Sequence, residues 1–336
     1  MGALTIMITG AAGYVGRATV AAARDAGHDV VAVVRLAGVV PDGWADDDGI
    51  ELVEADLSRP ESVQALDMVG VDSVIHAAAS LSGNDAAQER HTLTGTRHLL
   101  QAMARAEEPP RLVLVSSVSV YSGMGLQAQS EIDETSALER NPRQRDAYCR
   151  AKLNQEQITA EGALDLGAEL RIMRVGAVFG PGRLWNAHVG LRIGPAVLRL
   201  VRGGEIPLCH IAHCADALVR AAETKVPDSP DGAIEVLNVV DDDLPDRVRF
   251  LNAMARTGWP RLFVPVWWRF FDIAAQVLGW LPGCPGLLRR ETLRARIFPV
   301  RYPNARLKSR LGLPPTPPFE HAFTLSVGVE TPEEDA

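Results

Sequence analysis

A tyrosine and a lysine four residues apart, Tyr148 and Lys152, have a spacing that suits proton chemistry. Four residues make about one helical turn, so the two side chains share one face of a helix. An ammonium beside a phenol stabilises the phenolate, and this makes proton transfer easier for a tyrosine whose ordinary pKa is about 10. Ser116 and Ser117 end an apolar run before this pair, and a hydroxyl there can polarise a carbonyl oxygen. Together these residue types indicate proton exchange with a carbonyl or hydroxyl group, although the pair alone is common on helix surfaces.

A glycine-rich segment at residues 9–16 follows the apolar run 4–8 and opens a helical stretch. Strand, glycine turn and helix in this order can bind a dinucleotide, because the helix N-terminus offers free N–H groups to the pyrophosphate. Gly10 permits the tight turn, Gly13 lets the backbone approach the phosphates, and Gly16 lets the helix pack closely on the strand. Since glycines also mark ordinary turns, this spacing is a weak signal until it is combined with others. The residues expected to contact the cofactor here are Gly10, Ala12, Gly13, Tyr14, Val15 and Gly16.

Arg35 ends the second predicted strand, where an acidic residue would bond the ribose 2′-hydroxyl of NAD. An arginine instead suits the 2′-phosphate of NADP, so we expect NADP to be preferred over NAD. Asp56 and Leu57 follow the third strand and are expected near the adenine, although Asp56 could equally cap the turn at residue 60. Small residues after the fourth strand would let the backbone lie against the cofactor; they are Ala77, Ala78 and Ala79.

Apolar runs alternate with helical stretches through the first half of the chain. The predicted strands are 4–8, 30–34, 50–53, 73–75, 112–115 and 170–173, and the predicted helices are 16–26, 60–68, 86–106 and 146–166. Continuous apolar strands are typical of a parallel sheet covered on both faces. We therefore predict an α/β fold with a doubly wound parallel Rossmann sheet, whose ligand lies at the carboxyl ends of the strands.

The pattern changes after residue 175, and this divides the chain into three predicted parts. Residues 1–175 form the NAD(P)-binding Rossmann domain, 176–328 a smaller, mostly helical substrate-binding part, and 329–336 an acidic flexible tail. Within the second part we predict a loop at 176–182, helices at 195–201, 214–223 and 266–278, and a strand at 234–239. Residues 205–240 are expected to return to the sheet.

Composition narrows the range of partners. The chain has 336 residues and a net charge of −8, and its pI is near 5.5. A nucleic-acid partner is not expected, because phosphate binding needs a basic stripe. No apolar stretch reaches the length of a transmembrane helix, and the apolar start reads as a buried strand, so we expect a cytoplasmic protein. Cys209 and Cys214 stand near two histidines without zinc-motif spacing, so no metal is expected.

The sequence resembles the extended short-chain dehydrogenases/reductases of the NAD-dependent epimerase/dehydratase type over residues 4–323. The motifs that carry the resemblance are TGAAGYVG at 9–16, DL at 56–57, HAAA at 76–79, SSVSVY at 116–121, YCRAK at 148–152 and RVGAVFGPG at 174–182. The resemblance implies that Ser117, Tyr148 and Lys152 are catalytic, that Ser116 is their structural neighbour, and that Tyr148 and Lys152 also contact the cofactor. It further implies a homodimer formed through the helices at 86–106 and 146–166.

Several positions depart from the family pattern. The usual Asn-Val-x-Gly-Thr reads TLTGT at 92–96, the usual His-Val-x-Asp-Leu reads HIAHC at 210–214, and the usual Arg-Pro is Arg174-Val175. The asparagine that sugar-nucleotide enzymes carry after the sixth strand is also missing. The C-terminal third instead resembles members similar to 3β-hydroxysteroid dehydrogenase and dihydroflavonol reductase. Its aromatic residues could line an apolar pocket, or equally a core or a membrane-surface helix; they are Trp267, Trp268, Phe270, Phe271 and Trp280.

We therefore expect an NAD(P)-dependent alcohol dehydrogenase or ketoreductase that acts on an apolar hydroxy or keto compound, with Tyr148 as general acid/base. A sugar-nucleotide epimerase, dehydratase or reductase is the alternative, because arginines at 183, 192 and 202 could bind phosphates. A third possibility is a redox sensor that binds NADP without turnover. The intact set of Ser117, Tyr148 and Lys152 argues against a sensor, since sensors of this fold commonly lose the tyrosine. Peripheral contact with a membrane is not favoured.

Overall fold

The computed structural model describes residues 2–35, 40–186, 188–194, 196–201, 203–227, 233–260, 262–278 and 289–327. The predicted acidic tail at 329–336, together with Trp280 and Arg202, lies outside the described residues. Among those residues, no helix combines the length and the hydropathy that a membrane crossing requires.

A seven-stranded parallel sheet forms the centre of the molecule. Its strands are β1 Thr5–Thr9, β2 Asp29–Val34, β3 Ile50–Glu54, β4 Ser73–His76, β5 Arg111–Ser117, β6 Leu170–Val175 and β11 Ile234–Val239. Their order across the sheet is β11-β6-β5-β4-β1-β2-β3. The α/β doubly wound fold is thus confirmed, and the carboxyl ends of β1, β4 and β5 meet at one edge, where such sheets bind ligands.

Helices cover both faces of the sheet. The first half of the chain contributes α1 Tyr14–Asp25, α2 Pro60–Val63, α3 Asp85–Gln88, α4 Gly95–Met103 and α5 Ala147–Leu166, with a π-helical turn at Glu89–Thr94 before α4. Later helices are α6 Ile211–Glu223, α7 Arg247–Ala255, α8 Trp268–Leu278, α9 Arg290–Ile297, α10 Ala305–Leu311 and α11 Phe319–Val327. Along β1, Ile6 and Ile8 belong to the core shared with Leu218 of α6, while Met7 belongs to the core shared with Leu99 of α4. This alternation explains why the central strands are apolar throughout.

The second half of the chain contains more strand than its sequence predicts. The remaining strands are β7 Ala177–Phe179, β8 Gly190–Ile193, β9 Ala196–Val201, β10 Leu208–His210 and β12 Leu262–Trp267. The helix predicted at 195–201 is wrong, because this segment is β9, which pairs with β8 and β12. A short apolar run does not distinguish helix from strand, and here pairing decides. The helix predicted at 266–278 begins at Trp268, after β12. The domain division at residue 175 stays a prediction.

A buried ion pair joins β6 to β11. The Arg171 side chain, 2% exposed, donates from Nε to Glu235 Oε2 at 3.0 Å. Its Nη1 donates to the carbonyl oxygens of Ala221 and Thr224 at 2.7 and 3.0 Å, and its Nη2 to that of Lys225 at 3.1 Å. One guanidinium therefore satisfies the carboxylate and the C-terminal end of α6 together.

Replacing Arg171 by methionine should destabilise the fold strongly. The change leaves Glu235 with Arg310 as its cation and removes donors from the buried carbonyl of Ala221 and the part-buried carbonyls of Thr224 and Lys225, at a cost of about 3–5 kcal/mol. Urea denaturation followed by circular dichroism measures the loss. Arg97→Met is the matched control, because its ion pair with Glu89 is about half exposed and should contribute less than about 1 kcal/mol. Similar midpoints for the two variants would contradict the role given to Arg171.

Candidate active site

The glycine turn is packed so closely that side chains are excluded from it. Gly10 has φ +69°, and a Cβ atom there would lie 2.9 Å from the backbone of Ala78. A Cβ atom at Gly16 would lie 2.1 Å from the carbonyl oxygen of Gly10 and 2.7 Å from that of Ala11. The turn therefore touches both the segment after β4 and the start of α1. Its open backbone and the N-terminus of α1 fit the pyrophosphate of a dinucleotide.

The loop after β7 closes over the glycine turn from the other side. Tyr14, the first residue of α1, donates its hydroxyl proton to the carbonyl oxygen of Pro181 at 3.1 Å. The Arg183 guanidinium lies 5.1 Å from the centre of the Tyr14 ring. Burial raises the pKa of Tyr14 to about 12, so this hydroxyl stays protonated as a donor. The sequence marked both segments, but the contact between them is set by the fold.

Asp56 and Leu57 lie in the turn after β3. Asp56 accepts hydrogen bonds from the backbone N–H and the hydroxyl of Ser58, at 3.0 and 2.8 Å. Although burial alone would raise the pKa of Asp56, these bonds and the charges of Arg59 and Arg35 lower it. Asp56 thus organises its own turn, and the exposed Arg35 is close enough to affect its charge. An adenine contact from this turn stays a prediction.

Ala77, Ala78 and Ala79 continue from β4 along the same edge. The Ala77 N–H donates to the carbonyl oxygen of Thr9 at 3.2 Å, and Ala78 packs against Gly10 as described above. The backbone of this segment therefore lies directly against the glycine turn.

Ser117 and Tyr148 are neighbours, and the Ser117 hydroxyl is close enough to the Tyr148 hydroxyl to lower the pKa of the tyrosine. Ser117 ends β5, and Tyr148 lies in the first turn of α5, which Asp146 caps by accepting from the Cys149 N–H at 2.9 Å. Burial raises the pKa of Tyr148 to about 12, and the nearby Ser117 hydroxyl opposes this only in part. The Tyr-x-x-x-Lys spacing suggests a lowered pKa for Tyr148. The pKa is raised instead, because Lys152 is held by other hydrogen-bond partners and does not offset the burial.

The Lys152 ammonium points below the tyrosine ring rather than at its hydroxyl. Its Nζ lies 5.9 Å from the centre of the Tyr148 ring and donates to the Val115 carbonyl oxygen at 2.8 Å and to Gln155 Oε1 at 2.9 Å. Burial lowers the pKa of Lys152 to about 8, although the charge of Glu156 raises it. The lysine is therefore held on the sheet side of α5, one turn from the tyrosine.

Ser116, the neighbour of Ser117, faces the other way. Its hydroxyl donates to Glu156 Oε1 at 2.5 Å, and Arg174 Nε and Nη2 donate to the same carboxylate at 3.0 and 2.8 Å. All three side chains are buried. This contact fits the structural role that the resemblance implies for Ser116. Our sequence reasoning missed Glu156, although its position four residues after Lys152 places it on the same helix face.

The positions that depart from the family pattern form contacts of their own. Thr92 donates from its hydroxyl to Gln88 Oε1 at 3.0 Å and accepts from the Ser80 N–H at 3.1 Å. It therefore ties the π-helical turn to the loop after β4 and not to the catalytic residues described here.

One group of described side chains has the composition of a metal site. Cys209, His213 and Asp241 place their ligand atoms within 4.8 Å of one another, although spacing along the sequence argued against a metal. His213 Nδ1 lies 2.8 Å from Asp241 Oδ1, and Asp241 also accepts from the backbone N–H of His210. The carboxylate thus already has protein partners, and it holds the start of α6 against the end of β11.

A small cavity lies beside the turn that follows β5. Its walls come from the turn after β5 and from residues 294–302, and most are apolar or aromatic: Val118, Tyr121, Leu126, Ile132, Phe298, Val300 and Tyr302.

The described aromatic residues that the sequence suggested for an apolar pocket do not line this cavity, and they fall into two groups. Trp267 and Phe270 are 52% and 64% exposed. Trp268 and Phe271 instead pack against a small hydrophobic cluster formed by residues of α8 and α9. The cavity therefore uses aromatic residues beyond those singled out from the sequence.

The comparison with known proteins agrees with this geometry. Over 330 residues the chain is 28% identical to a 3-diazoavenalumate denitrifying reductase from Streptomyces sp, covering 94% of this chain and 97% of that protein. It is 28% identical over 189 residues to cinnamoyl-CoA reductase 1 from Arabidopsis thaliana, covering 53% of each chain. A UDP-glucose 4-epimerase from Thermus thermophilus, solved with NAD, superimposes with a TM-score of 0.69 at 18% identity, covering 96% of this chain and 98% of that one.

At that low identity, the likeness to the epimerase structure shows the fold alone. The sequence itself shows the family, because residues 6–236, more than half of the chain, match the pattern of one protein family. These residues include the glycine turn, Ser117, Tyr148 and Lys152. The chain belongs to the NAD dependent epimerase/dehydratase family of nicotinamide-binding enzymes.

Proposed function

We propose that this enzyme is an NAD(P)-dependent oxidoreductase that reduces an apolar carbonyl compound or oxidises the corresponding alcohol. The observation that carries the proposal is the grouping of Ser117, at the end of β5, with Tyr148 and Lys152, which lie one turn apart on α5. Both hydroxyls stand at the carboxyl edge of the sheet that also holds the glycine turn. A redox sensor without turnover would have no use for this arrangement.

Each catalytic side chain has one task in this proposal. The cofactor supplies a hydride to the carbonyl carbon, and Tyr148 gives its proton to the carbonyl oxygen, so the product is a neutral alcohol. Ser117 donates a hydrogen bond to the same oxygen as negative charge develops there. The raised pKa of Tyr148 keeps this acid protonated until that charge appears. Lys152 holds the cofactor ribose and contributes positive charge beneath the ring.

The side chains around the turn after β5 favour an apolar substrate, because the small cavity there is lined mainly by apolar and aromatic residues. Tyr121 satisfies its own hydroxyl by donating to Asn238 Oδ1 at 2.7 Å, so its ring is the part that faces the cavity space. Of the cavity-lining residues in the described parts of the chain, Arg294 is the cation, and it is paired with Asp272 at 3.2 Å. The two relatives reported above are named as a 3-diazoavenalumate denitrifying reductase and a cinnamoyl-CoA reductase, and the cinnamoyl group contains an aromatic ring. We therefore favour an aromatic or similarly flat apolar substrate.

Tyr148→Phe should lower turnover by about 10²–10⁴-fold while cofactor affinity changes little, because only the proton donor is lost. The measurement is NAD(P)H-dependent reduction of a ketone and aldehyde panel, with cofactor binding titrated separately. Ser117→Ala should also lower turnover, whereas Ser116→Ala should chiefly lower the unfolding midpoint, since Ser116 binds Glu156. Turnover near the wild-type rate in Tyr148→Phe would refute the catalytic assignment.

We also propose that NADP is the preferred cofactor, on the basis of Arg35 at the end of β2. Arg35→Asp should weaken NADPH binding by about tenfold or more and NADH binding much less, because it replaces a phosphate partner by a like charge. Fluorescence titration with both cofactors measures the effect. Arg97→Asp is the control, because it makes an equal change of charge at an exposed position of α4. If Arg35→Asp leaves the ratio of the two affinities unchanged, the preference does not come from this residue.

The sugar-nucleotide alternative is tested by competition. Arg183 is exposed beside the glycine turn and could meet a phosphate, which keeps this class of substrate under test. We expect flat apolar ligands to inhibit ketone reduction in proportion to the apolar area that they bury, at about 25 cal/mol per Å². UDP and UDP-hexoses should inhibit weakly. Micromolar inhibition by UDP with none from apolar ligands would replace the proposed substrate class by sugar nucleotides.

A further inference from the structure

A continuous row of buried hydrogen bonds connects the glycine turn with the catalytic lysine. Thr9 Oγ1 lies 2.7 Å from His76 Nδ1, and His76 Nε2 lies 2.9 Å from Thr96 Oγ1. Gln155 Nε2 donates to Thr96 Oγ1 at 2.9 Å, and Lys152 Nζ donates to Gln155 Oε1 at 2.9 Å. Each of the five side chains is at most 4% exposed. The row crosses from β1 through β4 and α4 to α5.

The positions of the protons along this row follow from one hydrogen bond, which Thr96 donates to Thr92. Thr96 has a single hydroxyl proton, which it donates to the Thr92 carbonyl oxygen at 2.7 Å. It must therefore accept from both Gln155 and His76, which places the His76 proton on Nε2. His76 Nδ1 is then an acceptor, and Thr9 donates to it. Burial, helped by the charge of Lys152, lowers the pKa of His76 to about 3, so this ring is neutral and the pattern is fixed.

Gln155 is consequently held in one orientation. Because its amide nitrogen is committed to Thr96, its Oε1 must face Lys152. An ammonium has three protons. Two of those on Lys152 are taken by Gln155 Oε1 and by the Val115 carbonyl oxygen, and one remains for a further partner.

We propose that Gln155 is a positioning residue, which fixes the Lys152 ammonium so that its remaining N–H serves the nicotinamide cofactor. The inference rests on the proposed function and adds a residue that acts through the lysine without touching the substrate. Gln155 stands three residues after Lys152, so both lie on the sheet side of α5. A carbonyl oxygen at this distance also favours the charged form of the lysine over the neutral form.

The other titratable or charged groups near Lys152 are the same in the wild type and in every variant that is tested. On α5 they are Tyr148, at 5.9 Å from Nζ to the ring centre, and Glu156, whose charge raises the pKa of the lysine. On β6, Arg174 pairs with Glu156, and on β4 the neutral His76 faces the same interior. None of these groups changes when Gln155 is replaced, so a change in lysine titration can be assigned to that replacement.

The test measures NADPH and NADH affinity by fluorescence titration from about pH 7 to about pH 10, where the lysine loses its charge. Affinity should fall as the pH rises through the Lys152 pKa. Gln155→Leu removes an acceptor that stabilises the ammonium, so this fall should move to lower pH by about one unit. Gln155→Glu puts a negative charge in the same place, so the fall should move to higher pH by a similar amount.

Gln157→Leu is the matched control, because Gln157 is an exposed glutamine on the same helix that bonds Glu161. It should reproduce the wild-type profile. Opposite shifts in Gln155→Leu and Gln155→Glu, with wild-type circular dichroism, support the inference, since a merely structural residue would move both variants in one direction. Coincident profiles in all four proteins would overturn it and leave the proposed function standing. If the wild type binds neither cofactor, the proposed function fails and the inference fails with it.

Discussion

The carboxylate of Glu156 holds the catalytic helix to the sheet, and the geometry of the site depends on this contact. It accepts hydrogen bonds from Ser116 on β5 and from Arg174 on β6, with all three side chains buried. Burying such charges is costly unless every donor and acceptor is matched. α5 can therefore rest on the two strands in one register only. That register places Tyr148 beside Ser117 and turns Lys152 toward the sheet.

Polar groups elsewhere in the interior have the same effect of fixing positions. The glycine turn is held by close backbone contacts, since a Cβ atom at Gly16 would overlap the Gly10 carbonyl oxygen. From Thr9, directly before that turn, the hydrogen-bonded row through His76 and Thr96 reaches α5. The glycine turn and α5, which carries Tyr148 and Lys152, are thus joined by one buried network. Preorganisation of this kind lets weak individual bonds hold a reacting group in place.

The part of the chain proposed to bind the substrate depends on apolar packing more than on buried hydrogen bonds. A small cavity between the turn after β5 and residues 294–302 is lined mainly by apolar and aromatic side chains, and its cation, Arg294, is already paired. In the function that we propose, the family's shared fold supplies the cofactor site, and this lining limits which carbonyl compound can approach. The two 28% identical relatives are reductases, whereas for the superimposed epimerase the likeness shows the fold alone. Family membership therefore fixes the type of chemistry more firmly than the substrate.

The sequence by itself determined the parallel sheet, the glycine turn and the Tyr148–Lys152 pair, because these depend on local periodicity and short spacing. It did not determine that residues 196–201 form a strand, since a short apolar run acquires its structure from the strands it pairs with. Nothing in the sequence indicates that Gln155 accepts from Lys152 or that it is oriented by Thr96, 59 residues away. Only the tertiary structure decided the directions of buried hydrogen bonds and the pKa of Tyr148, because burial depends on what the whole chain packs around a group.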